Sequence, residues 1–257
     1  MKGTVADRWR DVRAPWVRAG GLLLALALVG LTTACSREPS DKELRKQATS
    51  PAAESRRSVE ERKMRALIER LTAVEGLEHV LTRFEDSCVR PYNGSIFENH
   101  ESPHSLECDM QAVAYFGVRG DLTDVLRRIR AADIAAWGPH DDEGRDMPHA
   151  AGTVTYAIGY QRDHGRYPDG RLMPAPTLEA PGLRIDWDRP HLPLPNLVEE
   201  PALCPPAGSG IYQRCSTAPE NPISVATTRV RYGTVLTLSL GGWDSSADNY
   251  FTVTRRK

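Results

Sequence analysis

One pentapeptide matches the zinc-metalloprotease pattern His-Glu-x-x-His: it reads His100-Glu101-Ser102-Pro103-His104. In such enzymes a helix brings both imidazoles to one face, where they bind zinc while the glutamate activates a water molecule. Here Pro103 lies inside the turn that would have to be helical. Proline removes a backbone hydrogen bond and clashes with the preceding turn, at a cost of about 3 kcal/mol. The sequence therefore favours a loop here and disfavours a zinc-protease site.

A second group of potential metal ligands lies between residues 140 and 149. It contains His140, Asp142 and His149, and a mixture of imidazole and carboxylate ligands suits zinc or manganese. Such a site would support metal-dependent hydrolysis. The neighbouring turn formers, Gly138-Pro139 and Gly144, favour a solvated acidic loop instead. We therefore predict no cofactor and keep metal-dependent hydrolysis as the alternative.

Other common catalytic motifs are absent from the sequence. It contains no Gly-x-Ser-x-Gly elbow, no Ser-x-x-Lys, no phosphate-binding glycine loop and no dinucleotide fingerprint. These absences disfavour the serine hydrolases, the penicillin-binding proteins and the nucleotide-using enzymes.

The N-terminal 34 residues have the pattern of an export signal. Lys2 and four arginines, the last of them Arg18, precede an apolar run from Gly20 to Leu31. This is the order of the basic and apolar regions of a secretory signal. The run is shorter than the roughly 20 apolar residues that a membrane-spanning helix needs, so we do not expect a retained transmembrane anchor.

The end of this segment resembles the lipobox of bacterial lipoproteins. Thr33-Ala34 precede Cys35, and the arginine-rich leader is similar to those of actinobacterial lipoproteins. In that family the cysteine is acylated and becomes the N-terminus after cleavage. The resemblance, which is limited to the signal, implies lipidation of Cys35 and attachment to the extracytoplasmic side of the cell membrane. An ordinary secretory signal cut near the same place is the alternative.

Four further cysteines remain: Cys88, Cys108, Cys204 and Cys215. An even number in an exported chain indicates two disulfides. Of the three possible pairings we favour Cys88 with Cys108 and Cys204 with Cys215, because each closes a short loop rich in turn residues. No Cys-x-x-Cys pair occurs, which disfavours a zinc cluster or a reactive thiol.

The charge balance excludes one class of partner. The full chain has 33 Lys and Arg against 34 Asp and Glu. The leader holds five of these cations and two of these acids, so the remainder carries a net charge of about −4 with neutral histidines. Such a chain has no positive field to gather phosphates, and we predict no nucleic-acid partner.

The sequence predicts three parts: a lipoprotein signal peptide over 1–34, an acylated cysteine with a flexible polar tether over 35–57, and a single domain over 58–257. The tether is predicted because this segment contains two prolines and almost no large apolar side chain. The domain carries the two disulfides and two long loops, 164–182 and 189–210. The second of these is rich in proline.

Periodicity predicts an α+β domain. Apolar residues at three- and four-residue steps predict a helix from the capping box of Ser58 and Glu61 to about Asp86. A second helix is predicted from its N-cap Asp121 to Gly138. Alternating or continuous apolar runs predict strands near 111–118, 153–160, 183–188, 223–232, 234–240 and 250–254. We expect a mostly antiparallel sheet with two main helices packed on one face.

A ligand, if one is bound, is expected to contact aromatic side chains of the sheet and the two long loops. The candidates are Tyr115, Tyr156, Tyr160 and Trp187, residues that also suit a plain core. The prediction is a membrane-anchored extracytoplasmic lipoprotein that binds an unidentified envelope ligand or protein without catalysis. A metal-dependent hydrolase of envelope material is one alternative. A lipoprotein chaperone or inhibitor whose proline-rich loop docks a partner is another.

Overall fold

The computed structural model describes residues 38–91, 102–145, 147–206, 210–241 and 249–255. Its helices are α1 (Asp41–Ala48), α2 (Pro51–Thr72), α3 (Leu122–Ala131), α4 (Val154–Arg162) and α5 (Val225–Tyr232). Its strands are β1 (Leu77–Val89), β2 (His104–Val118), β3 (Leu178–Ala180), β4 (Leu183–Trp187), β5 (Tyr212–Ala218), β6 (Val235–Leu240) and β7 (Phe251–Thr254). Residues Pro39–Arg255 form one compact unit.

All strands join one antiparallel sheet in the order β3-β4-β6-β2-β1-β5. β2 is long enough to accept two partners along the same edge. β6 pairs with Ala112–Gly117 of β2, and β7 pairs with its beginning from His104 to Cys108. The predicted α+β class and the antiparallel sheet are confirmed.

The two faces of the sheet are covered differently. Alternate residues of β2, from Met110 to Val118, are buried in the main core, to which helices α1 to α4 contribute. On the opposite face α5 covers one end of the sheet. There the ring of Tyr232 lies directly against Gly117, where a Cβ atom would clash with it. The rest of this second face is available to the loop that follows β4.

The predicted flexible tether over 35–57 is wrong from Asp41 onward. Ser40 caps α1 with a complete capping box, and Ser50 caps α2. Leu44 and Ala48 are fully buried in the main core. Two apolar residues thus help to dock a short helix whose composition is otherwise too polar to predict a folded element. Residues 35–37, which include Cys35, lie outside the described residues.

The predicted helix from Ser58 to Asp86 is too long at its C-terminal end. α2 ends at Thr72, Gly76 turns the chain with a positive φ of 93°, and β1 follows. The segments near 153–160 and 223–232 were predicted as strands and are helices, capped by Thr153 and Ser224. Short apolar runs do not distinguish a buried strand from a buried helix.

One buried ion pair fastens the N-terminal helices to the sheet. Arg57 of α2 donates from Nε to Asp86 Oδ2 of β1 at 2.6 Å and from Nη2 to the carbonyl of Ala48 at 3.0 Å. Tyr250 donates its hydroxyl to Asp86 Oδ1 at 2.6 Å. Burial raises the pKa of Asp86, and burial beside this carboxyl group raises the pKa of Tyr250, so the phenol stays protonated and donates.

Replacing Asp86→Asn is expected to lower the free energy of unfolding by about 3–5 kcal/mol, because the Arg57 guanidinium would lose its buried anion and keep, among the described residues, only Glu54, whose side chain is more than half exposed. The measurement is equilibrium denaturation of the oxidised protein. Asp124→Asn is the matched control, since it removes an ion pair whose two side chains are more than half exposed and is expected to cost at most about 1 kcal/mol. Equal losses in the two variants would contradict a structural role for Asp86.

Candidate functional site

The loop between β4 and β5 crosses the sheet face that α1 to α4 leave open. β4 lies near one side of the sheet and β5 at the other, so the chain must pass over the strands between them. We call residues 196–204 of this loop the strap. Its two ends are fastened by different interactions.

The first end is held by the carboxylate of Asp188, whose side chain is fully buried. Oδ1 accepts hydrogen bonds from the backbone N–H of Val198 at 2.7 Å and from Arg229 Nη2 at 3.0 Å. Oδ2 accepts from Arg229 Nε at 2.9 Å and from the N–H of Val235 at 2.9 Å. One carboxylate thus joins the strap, α5 and β6. The hydrogen bond to this carboxylate raises the pKa of Arg229, so the fork stays charged.

The middle of the strap is tied to the start of α5. Glu200 accepts hydrogen bonds from the backbone N–H groups of Val225 at 3.0 Å and Ala226 at 2.8 Å. These N–H groups have no partner within the helix, and the positive end of the helix dipole favours an anion there. The far end is covalent, since Cys204 is bonded to Cys215 of β5. The strap is therefore held at three points.

A cleft of about 380 Å³ lies between the strap and the sheet. Its floor comes from four strands and its wall from the strap. The floor consists of Arg83 of β1, Val113 and Tyr115 of β2, Asp186 of β4, and Thr237 and Ser239 of β6. This volume is within the range of about 300–1,000 Å³ that is usual for small-molecule sites.

Two polar side chains of the floor keep hydrogen-bonding groups unused. Arg83 donates from Nη2 to Glu85 at 2.6 Å, but its buried Nε has no partner within the described part of the chain. Tyr115 is only 6% exposed, and its hydroxyl forms no hydrogen bond to any described residue. Burial raises the pKa of Tyr115. The positive charge of Arg83 lowers this pKa, and the negative charges of Glu200 and Glu199 raise it further. The phenol is therefore neutral and can both donate and accept a hydrogen bond.

The four aromatic residues predicted to bind a ligand do not converge on one place. Tyr115 lines the cleft. Trp187 is fully buried in the main core. Tyr156 and Tyr160 lie on α4 in a separate cluster with Met173, and the Tyr156 hydroxyl donates to the carbonyl of Pro174 at 2.8 Å. The predicted long loop over 189–210, by contrast, supplies the wall of the cleft.

The predicted metal ligands His140, Asp142 and His149 form no site in the structure as described. In the described ranges, no three His, Cys, Asp or Glu side chains come together in a group that could hold a metal ion. The loop instead closes on Asp141, whose carboxylate accepts from the Arg145 backbone at 2.9 Å and its side chain at 2.8 Å. The backbone hydrogen bond from Arg145 is the main reason that the pKa of Asp141 is low. Asp146 lies outside the described residues.

The zinc-protease pentapeptide is only partly described. His100 and Glu101 lie outside the described residues, while His104 begins β2 and its backbone N–H donates to Ser102 Oγ at 3.1 Å. An extended residue at His104 does not fit the helix that the zinc motif requires.

The predicted disulfide pairing is confirmed. Cys88 and Cys108 lie directly opposite each other on β1 and β2 and are bonded, as are Cys204 and Cys215. Two such bonds are typical of an oxidising, extracytoplasmic environment. Among the described helices, none combines the length and the apolar character that crossing a bilayer requires.

A second concavity, of about 670 Å³, lies beside α2. Met64 and Leu67 of α2 line it together with Leu183 of β4. Its rim at Gly241 and Asn249 leads into residues outside the described part of the chain. The strap cleft has a fully described lining and is therefore the candidate site.

Comparisons with protein-family models, with curated proteins and with solved structures find no match to this chain. The site is therefore interpreted from its own geometry.

Replacing Cys204 and Cys215 together by serine is expected to release the far end of the strap. A disulfide that closes a loop of this length stabilises by about 3 kcal/mol in the chain-entropy model. Hydrogen exchange followed by mass spectrometry should show a larger increase in exchange over residues 196–204 than in α3, whose buried residues report the stability of the whole domain. Unchanged protection of the strap would contradict its attachment through this bond.

Proposed function

We propose that this protein is an extracytoplasmic lipoprotein, anchored to the cell membrane through acylated Cys35, that binds a small polar envelope ligand in the strap cleft without catalysis. The observation that carries the binding role is the pair of unused groups on the cleft floor. Among the described residues the buried Nε of Arg83 has no partner, and the Tyr115 hydroxyl forms no hydrogen bond. The Tyr115 hydroxyl and the remaining N–H groups of Arg83 are therefore the groups with which a ligand in the cleft would form hydrogen bonds.

The geometry of the chain is compatible with the anchor. Arg90 binds the carbonyl of Pro39 at 2.6 Å and the Asp41 carboxylate at 2.8 Å, which holds the beginning of the folded unit against the end of β1. The six residue steps from Cys35 to Asp41 reach at most about 20 Å. The folded unit would therefore be held closer to the bilayer than the predicted flexible tether of 22 residues would hold it.

Binding is favoured over catalysis because two of the three carboxylates that line the cleft already serve the structure. Asp186 pairs with Arg189 at 2.6 Å and accepts from the Asn196 side chain at 3.2 Å. Glu200 caps α5. A general acid or base needs a carboxyl group that can exchange a proton with the substrate. Within the described residues neither of these two groups is available for that task, and no metal-binding group supports the hydrolase alternative.

Replacing Cys35→Ser is expected to abolish incorporation of labelled palmitate and to release the protein from the membrane fraction, because it removes the acylated atom. The assay is metabolic labelling followed by fractionation in the native host. Ser36→Ala, which leaves the cysteine in place, should remain labelled and membrane-bound. Membrane retention and label in the Cys35→Ser variant would contradict the anchor, and an unlabelled wild-type protein would favour an ordinary secretory signal.

A further inference from the structure

The two sides of the strap cleft carry opposite charges that are not paired with each other. The floor carries Arg83 and an Asp186 that is paired with Arg189, and the strap carries Glu199 and Glu200. The ion pair of Arg83 is with Glu85 of its own strand, and Glu200 binds the backbone of α5. Glu199 is exposed and forms no ion pair with the described residues. The cleft therefore offers one positive and one negative contact to a ligand that lies between them.

Tyr115 lies on the floor of the same cleft. The charges of Arg83, Glu199 and Glu200 all act electrostatically on its hydroxyl. This hydroxyl is the polar end of a side chain that is more than nine-tenths buried, and it has no hydrogen-bond partner within the described ranges. A ligand group bound to Arg83 would therefore share the cleft with the Tyr115 hydroxyl.

The guanidinium of Arg83 has capacity for a second anion. It carries five N–H donors in a planar fork that matches the geometry of carboxylates. One donor is used by Glu85, and in the described part of the chain the buried Nε has no acceptor. On the opposite wall, the strap carboxylates suit an ammonium group, which carries three donors and no acceptor.

We propose that the strap cleft binds a ligand with both an ammonium and a carboxylate group, of the class of free amino acids and short peptides. Its ammonium group faces Glu199 and Glu200, and its carboxylate contacts Arg83 and the Tyr115 hydroxyl. This inference rests on the proposed binding function and specifies the ligand class. A neutral saccharide would satisfy the hydrogen bonds but would leave Glu199 without a counter-charge among the described residues.

The test is isothermal titration calorimetry on the full-length, disulfide-bonded chain in a non-ionic detergent. The probes are L-alanyl-L-alanine, its N-acetylated form, and N-acetylglucosamine as a neutral saccharide. We expect the dipeptide to bind and acetylation, which removes the ammonium group, to weaken binding at least tenfold.

Two variants locate the contacts. Glu199→Gln is expected to weaken dipeptide binding by about 2- to 5-fold, the upper part of the usual range for an exposed charge pair. Glu220→Gln, at an exposed carboxylate outside the cleft lining, should leave binding unchanged. Tyr115→Phe keeps the ring, removes only the hydroxyl and is expected to weaken binding by a similar factor.

The outcomes separate the two proposals. Dipeptide binding that Glu199→Gln does not weaken would overturn the inference. Saccharide binding that Tyr115→Phe weakens, with no binding of the dipeptide, would also overturn the inference and leave the proposed binding function standing. If no probe binds in a manner that depends on Tyr115, both proposals fail.

Discussion

The buried ion pair of Arg57 and Asp86 holds α1 and α2 on one face of the sheet, and the arrangement of the other face depends on this. Both side chains are almost completely buried. The attraction within a buried ion pair only partly offsets the free energy needed to remove the two charges from water. Such a pair is best understood as a constraint on geometry, since removing either partner leaves a buried charge while any shift of α2 breaks the contact. Arg57 also binds the end of α1, so both N-terminal helices are committed to the same face. The opposite face is left to α5 and the strap.

A sheet face covered by a strap can hold water or a ligand where a helix would exclude both. The strap is narrow, and its attachments at Asp188, Glu200 and the Cys204–Cys215 bond suspend it over three strands. The floor beneath it is polar, which a close-packed core would not tolerate without partners for every group. Prolines within and on either side of the strap, Pro195, Pro201 and Pro205, suit this role, because proline stiffens a chain and needs few internal hydrogen bonds.

The sequence predicted the features that depend on local pattern. The strands around 111–118, 183–187 and 250–254, the Asp121 cap and both disulfides are present. It missed α1 and the start of α2, because their docking depends on Arg57 meeting a partner 29 residues later. Of the candidate site it identified Tyr115 and the long loop. Arg83 and Glu199 could not be identified as site residues from the sequence, because charged residues on a strand and in a loop are typical of solvated surface. Only the path of the strap brings them to one cleft.

We propose that the ligand binds under the strap and not at the other predicted aromatic residues. The most direct measurement is fluorine NMR of the protein with its eight tyrosines replaced by 3-fluorotyrosine, in which Tyr115→Phe identifies the Tyr115 resonance. On addition of a mixture of amino acids, dipeptides and neutral saccharides, we expect the Tyr115 signal to shift while the other tyrosine signals stay in place. A shift of the Tyr156 or Tyr160 signals with an unchanged Tyr115 signal would contradict this proposal.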